Sequence, residues 1–89
     1  MPTLLLMGPR FAHVERSHRC DGQCWLQVRE ELVARDERMR ALLPQSLQGN
    51  AAPGLAYFIN GRLAYGEQLF QATFLSSDEL AIIHAISGG

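Results

Sequence analysis

Apolar positions along the chain fall into blocks, each with its own spacing. Thr3 to Met7 (Thr-Leu-Leu-Leu-Met) is an unbroken apolar run, which suits a central strand covered by other structure. Gly8-Pro9 ends it. Residues 13–19 alternate poorly and read as a polar, edge-like strand. Asp21-Gly22 marks a turn. From Trp25 to Arg35 the period changes: Trp25, Val28 and Leu32 stand at i, i+3 and i+7, one stripe of a helix. Arg29, Glu30, Glu31 and Arg35 fall largely off that stripe. Asp36 to Leu43 either extends the helix or begins a second, short one, since Asp36 can cap an N-terminus. Pro44 stops it by pushing Leu43 out of helical angles.

Residues 44–54 read as a loop. Leu55–Ile59 and Arg62–Tyr65 then flank Asn60-Gly61, a strong hairpin signal because both turn residues tolerate positive φ. Ser76-Ser77-Asp78-Glu79 is a further turn, and Leu80–Ile86 is the last strand. The order is strand, strand, helix, loop, hairpin, strand, tail. A helix between two sets of strands is an α+β pattern, with the apolar first and last strands side by side at the centre.

Composition narrows the function classes. A chain of 89 residues fits one small domain, and 47% hydrophobic against 19% charged residues excludes a disordered chain. A net charge of −1 gives no pull toward nucleic acid or an anionic membrane. Leu4–Met7 is too short for a signal-peptide core or a membrane span, and Met1-Pro2-Thr3 carries no basic leader, so a cytoplasmic location is expected.

Candidate chemistry within the chain is sparse. His18, Cys20 and Cys24 form H-x-C-x₃-C, whereas zinc wants four ligands and tighter cysteine pairs; His13 as a fourth ligand is poorly spaced. A redox pair more often reads C-x-x-C. Neither a metal nor a permanently bound cofactor is expected. No phosphate loop, Ser/His/Asp set or paired-carboxylate site stands out, and Glu30, Glu31, Asp36 and Glu37 read as a solvated helix face.

Three features together carry a resemblance: Asn60-Gly61 in a hairpin, Ser77-Asp78-Glu79-Leu80 before an apolar last strand, and a chain ending Ser87-Gly88-Gly89. In that combination the chain resembles the β-grasp (ubiquitin-like) sulfur carriers, which include the small subunit of molybdopterin synthase and the thiamine-pathway carrier. The resemblance covers nearly the whole chain and is tightest over residues 55–89. It implies a mixed sheet of four to five strands with one main helix on one face, a domain over residues 1–86 and a flexible tail over 87–89. Plant-type iron–sulfur proteins share that fold, but two cysteines cannot supply their four cluster ligands.

The resemblance also implies a mechanism. The family adenylates the C-terminal carboxylate, here that of Gly89, with ATP on a ubiquitin-activating-type enzyme. Sulfur then displaces AMP and leaves a thiocarboxylate for a sulfur-acceptor enzyme such as a synthase large subunit. Gly88 and Gly89 have no Cβ, so such a tail can extend into a narrow channel. The carrier is then a protein co-substrate rather than an enzyme. Ser87 and the Trp25–Leu43 stretch favour the molybdopterin type, whereas Ile83-His84-Ala85-Ile86 is closer to the thiamine type. A ubiquitin-like modifier joined to lysines through Gly89, and a plain interaction module, remain the alternatives.

Alternation splits the last strand: Leu80, Ile82, His84 and Ile86 share one face, Ala81, Ile83 and Ala85 the other. Comparison with ubiquitin-like folds places Leu80, Ile82, Tyr57 and Ile59 inward and Ile83 and Phe58 outward. Phe58 and Ile83, with Ser87, are therefore the expected partner-binding residues. A register shift of one residue would invert the faces. His84, close to the tail, either neighbours an acidic groove on a partner or sits at a strand edge, and the edge reading is favoured. In this family Cys24 falls where a helix-capping Ser or Thr often stands.

Overall fold

The structure is a computed structural model and describes residues 1–45 and 54–84. Among these, five strands form one sheet in the order β2-β1-β5-β3-β4. The strands are β1 (Thr3–Met7), β2 (Ser17–Arg19), β3 (Leu55–Ile59), β4 (Arg62–Ala64) and β5 (Glu79–His84). β5 runs parallel to β1 and antiparallel to β3, so the first and last strands lie side by side at the centre. This is the arrangement implied by the resemblance.

The register sorts side chains onto two faces. Leu4 pairs with Leu80 and Leu6 with Ile82; across β3, Ile59 pairs with Leu80 and Tyr57 with Ile82. Leu4, Leu6, Leu80 and Ile82 are almost fully buried, and Tyr57 is buried beside them. Against this inner face pack α1 (Trp25–Arg35), α2 (Met39–Leu42) and α3 (Gly66–Gln71), through Trp25, Val28, Leu32, Met39 and Leu69. Each such side chain withdrawn from water contributes about 1.5–3 kcal/mol.

α1 begins and ends where the stripe predicts. Cys24 is its N-cap but makes no side-chain capping bond; instead Gln27 Oε1 accepts the Gln23 N–H at 2.8 Å. Asp36 starts no helix. Its extended backbone closes α1, with its N–H donating to Leu32 O, and its carboxylate accepts the Arg38 N–H. A separate four-residue α2 follows.

Three expectations need correction. Arg29 is not off the stripe: four residues after Trp25 it returns to the same face. It is buried, and its guanidinium donates to Leu43 O (3.0 Å) and Arg40 O (3.1 Å), partnering carbonyls at the end of α2. Glu31 is not simply solvated, because it accepts the N–H groups of Asp21 (2.8 Å) and Gly22 and so ties the preceding turn to α1. The polar strand is confined to Ser17–Arg19, where only His18 faces the core, opposite Leu4. The helix α3 was not expected.

Candidate functional site

β5 connects the two ends of the candidate site. Its outward residues are Glu79, Ala81 and Ile83; β1 adds Thr3, Leu5 and Met7, and β3 adds Ala56 and Phe58. Phe58 pairs with Ala81 on one side and Leu63 on the other, and Ile83 pairs with Met7 and Ala56. The register therefore puts Phe58 and Ile83 on the outer face, diagonal neighbours, with Tyr57 and Ile82 on the opposite one. Both are half-buried rather than bare, while Leu63 beside Phe58 is 73% exposed. The described helices place their core side chains on the other face. Leu5 and Met7 were not among the expected site residues. Their signal lay in the apolar run of β1: with a period of two, an unbroken run makes both faces apolar.

At the C-terminal end of β5 a second cluster forms. Gly8 follows β1 with φ +104°, a conformation that L side chains rarely adopt. A Cβ there would overlap the carbonyl oxygen of His84. The 3₁₀ turn Pro9–Phe11 comes next, and the Arg10 N–H donates to His84 Nδ1 at 3.2 Å. The Arg10 side chain crosses to α2, donating to Leu42 O (2.9 Å) and Ala41 O (3.2 Å). His84 is thus not at a sheet edge: it ends the described part of a central strand, half-buried and bonded to the turn after β1. On the same face lies Tyr57, whose hydroxyl pKa is raised by burial, with Arg10 acting in the opposite direction. Ala85, Ile86, Ser87, Gly88 and Gly89 lie outside the described residues.

The contact at Gly8 is open to a direct test. Gly8→Ala combines a disallowed φ with overlap of the β5 backbone and is expected to cost about 3 kcal/mol. Urea unfolding of the two proteins measures it; a midpoint equal to the parent's would mean that the turn does not pack on β5.

At the other end of β5 the two turn motifs of the sequence meet. Asn60 (φ +52°) and Gly61 (φ +80°) make the β3–β4 turn. The Asn60 Nδ2 donates to Asp78 Oδ1 at 3.0 Å, and Asn60 Oδ1 accepts the Glu79 N–H at 2.8 Å. Asp78 Oδ2 accepts the Leu75 N–H at 2.8 Å. The Asn60 amide and then the Leu75 N–H hold the Asp78 carboxyl below its ordinary range.

The cysteines do not converge with other ligands. Cys20 is buried, which pushes its thiol pKa up; nearby Glu31 adds to this, and Arg35 opposes it. A thiol held protonated is a poor nucleophile. Among the described residues no group of three His, Cys, Asp or Glu is placed to hold a metal ion, and no helix is long and apolar enough to cross a membrane.

No family model matches the chain, and no curated protein matches it in sequence. Among solved structures it is similar to CysO in the crystal structure of the Amycolatopsis orientalis BexX/CysO complex, at 18% identity, over 100% of both chains, with a TM-score of 0.73. At that identity the likeness establishes the architecture: a mixed five-stranded sheet with one main helix on its inner face, the β-grasp fold.

Proposed function

We propose that this protein is a sulfur carrier whose reactive group is the Gly89 carboxylate. A carboxylate is ionised at neutral pH and is a poor acyl donor. On this reading, a carboxylate oxygen attacks the α-phosphorus of ATP on a ubiquitin-activating-type partner, and pyrophosphate leaves. Sulfide (HS⁻) released by a donor then attacks the acyl carbon, AMP leaves, and loss of the thiol proton gives a thiocarboxylate. The observation that carries the reading is the position of β5: the Ser87-Gly88-Gly89 sequence follows within a few residues of a central strand anchored on both sides. The likeness to CysO, solved in complex with BexX, supports a carrier that works with partner enzymes. The acceptor we favour is the large subunit of a molybdopterin synthase, with a thiamine-type or other biosynthetic acceptor next.

Intact mass spectrometry after incubation with an activating enzyme, ATP and a sulfur donor tests this. The expected product has one oxygen replaced by sulfur. If neither adenylate nor thiocarboxylate forms, the carrier reading fails. Ladders of lysine conjugates would instead identify a protein modifier.

The outer face is the docking surface of this proposal, with Phe58 at its centre. Phe58→Asp should weaken binding to the activating enzyme by about 2 kcal/mol or more, the scale of a buried aromatic anchor. The domain should lose only about 1 kcal/mol of stability, as for strand-surface changes. Titration calorimetry and thermal melts check the two parts. A collapse in melting temperature with unchanged affinity per folded molecule would assign Phe58 to the core instead.

A further inference from the structure

The Asn60-Gly61 turn carries two kinds of chemistry: it closes a hairpin, and it is an asparagine–glycine pair. We propose that Asn60 is a site of spontaneous deamidation and isomerisation, held back by its own hydrogen bonds to Asp78 and Glu79. The reaction needs only water. The Gly61 backbone nitrogen, losing its proton, attacks Asn60 Cγ. The N–Cγ bond forms, the Cγ–Nδ2 bond breaks, and Nδ2 takes up a proton and leaves as ammonia. Water then opens the five-membered imide at either carbonyl, giving aspartate or isoaspartate.

Gly61, the residue that supplies the nucleophile, carries no side chain, and apart from its two chain neighbours nothing lies within 4 Å of the place where its Cβ would be. The electrophile is held away from it. Nδ2 is bound to Asp78 Oδ1 at 3.0 Å and Oδ1 to the Glu79 N–H at 2.8 Å, so the amide faces the start of β5. Attack requires that side chain to leave both partners and turn toward Gly61. The backbone bond from Asn60 N to Glu79 O, at 2.7 Å, holds the residue in register meanwhile.

Conversion would reverse the sense of the contact. Nδ2 is a donor to Asp78; an aspartate in its place is a second carboxylate against the first, and like charges at that distance repel. Isoaspartate also adds a methylene to the backbone of a two-residue turn. Ile59 and Arg62 flank that turn, and Phe58 and Leu63 are the next cross-strand pair, so a change in the turn reaches the outer face through two pairs.

The test follows deamidation in the full chain at mildly alkaline pH and body temperature, by intact mass and by peptide mapping that separates isoaspartate. A synthetic peptide spanning Leu55–Tyr65 gives the unprotected rate. The folded chain should react at least about tenfold more slowly than the peptide, because the reaction must await local opening. Asp78→Ala, with Asp78→Ser as its substitute should it fail to fold, should narrow that gap at least about threefold. Val33→Ala, which destabilises the core away from the turn, should stay within about twofold of the parent. A folded chain that reacts as fast as the peptide overturns the proposal. So does an Asp78 variant no faster than the parent, or no faster than Val33→Ala.

Discussion

A chain shortened by Gly89 is expected to form neither adenylate nor thiocarboxylate. On the proposed reading the reacting carboxylate is carried beyond β5 by the last residues, and a deletion pulls it back by about 3.5 Å. Misplacing a reacting group by even 1 Å costs on the order of a hundredfold, so activation should drop by at least that factor. Adding a residue after Gly89 should be as damaging, because it turns the Gly89 carboxylate into an amide and moves the carboxylate outward. Gly89 is outside β5 and outside the described core residues, so thermal melts should overlay those of the parent. ATP–pyrophosphate exchange on the activating enzyme reads the first effect directly. Activity retained by either chain would refute the assignment of Gly89.

Trp25→Ala is expected to remove most of the domain's stability. Trp25 is the chain's single tryptophan, with 0% of its surface exposed, at the start of α1. Its indole Nε1 donates to Pro44 O at 2.9 Å, so it also pins the chain where α2 ends. Truncating a buried tryptophan costs about 3–5 kcal/mol, much of the stability available to a small domain. The melt should move down by well over about 10 °C or lose its cooperativity. Trp25→Phe keeps most of the volume and leaves the Pro44 carbonyl unpaired, costing about 1–3 kcal/mol. Circular dichroism against denaturant separates the two variants. Equal stability of Trp25→Ala and the parent would mean that the α1–α2 corner does not rest on this side chain.

The parts of the fold that were legible in the sequence are those with a local cause. α1 was visible because Trp25, Val28 and Leu32 repeat at helical spacing, and its observed bounds match the expected ones. The hairpin was visible because Asn60-Gly61 accepts positive φ, as both residues show. α3 was not visible: over Gly66–Gln71 only Leu69 is buried, too few positions to establish a period. Arg29 was misplaced because charge was weighed above position; the carbonyls at the end of α2 that receive it lie more than ten residues away. For the candidate site, the inward and outward sets were readable from alternation once the register was chosen. The junctions at the two ends of β5 were not. Gly8 and Arg10 meet His84, and Asn60 meets Asp78, across long stretches of chain, and no local pattern signals such contacts.

The parallel pairing of β1 with β5 has a consequence for how the domain forms. Thr3 pairs with Glu79 and Met7 with Ile83, so the centre of the sheet joins residues at opposite ends of the described chain. Loop-closure entropy must be met before these contacts return anything, which slows folding relative to a helical bundle of equal size. During synthesis, β1 and β3 would wait with bare edges until Glu79–His84 emerged to fill the gap between them. Nascent chains stalled before that strand should be open to proteolysis and to chaperones, and protection should appear in one step once β5 has been made.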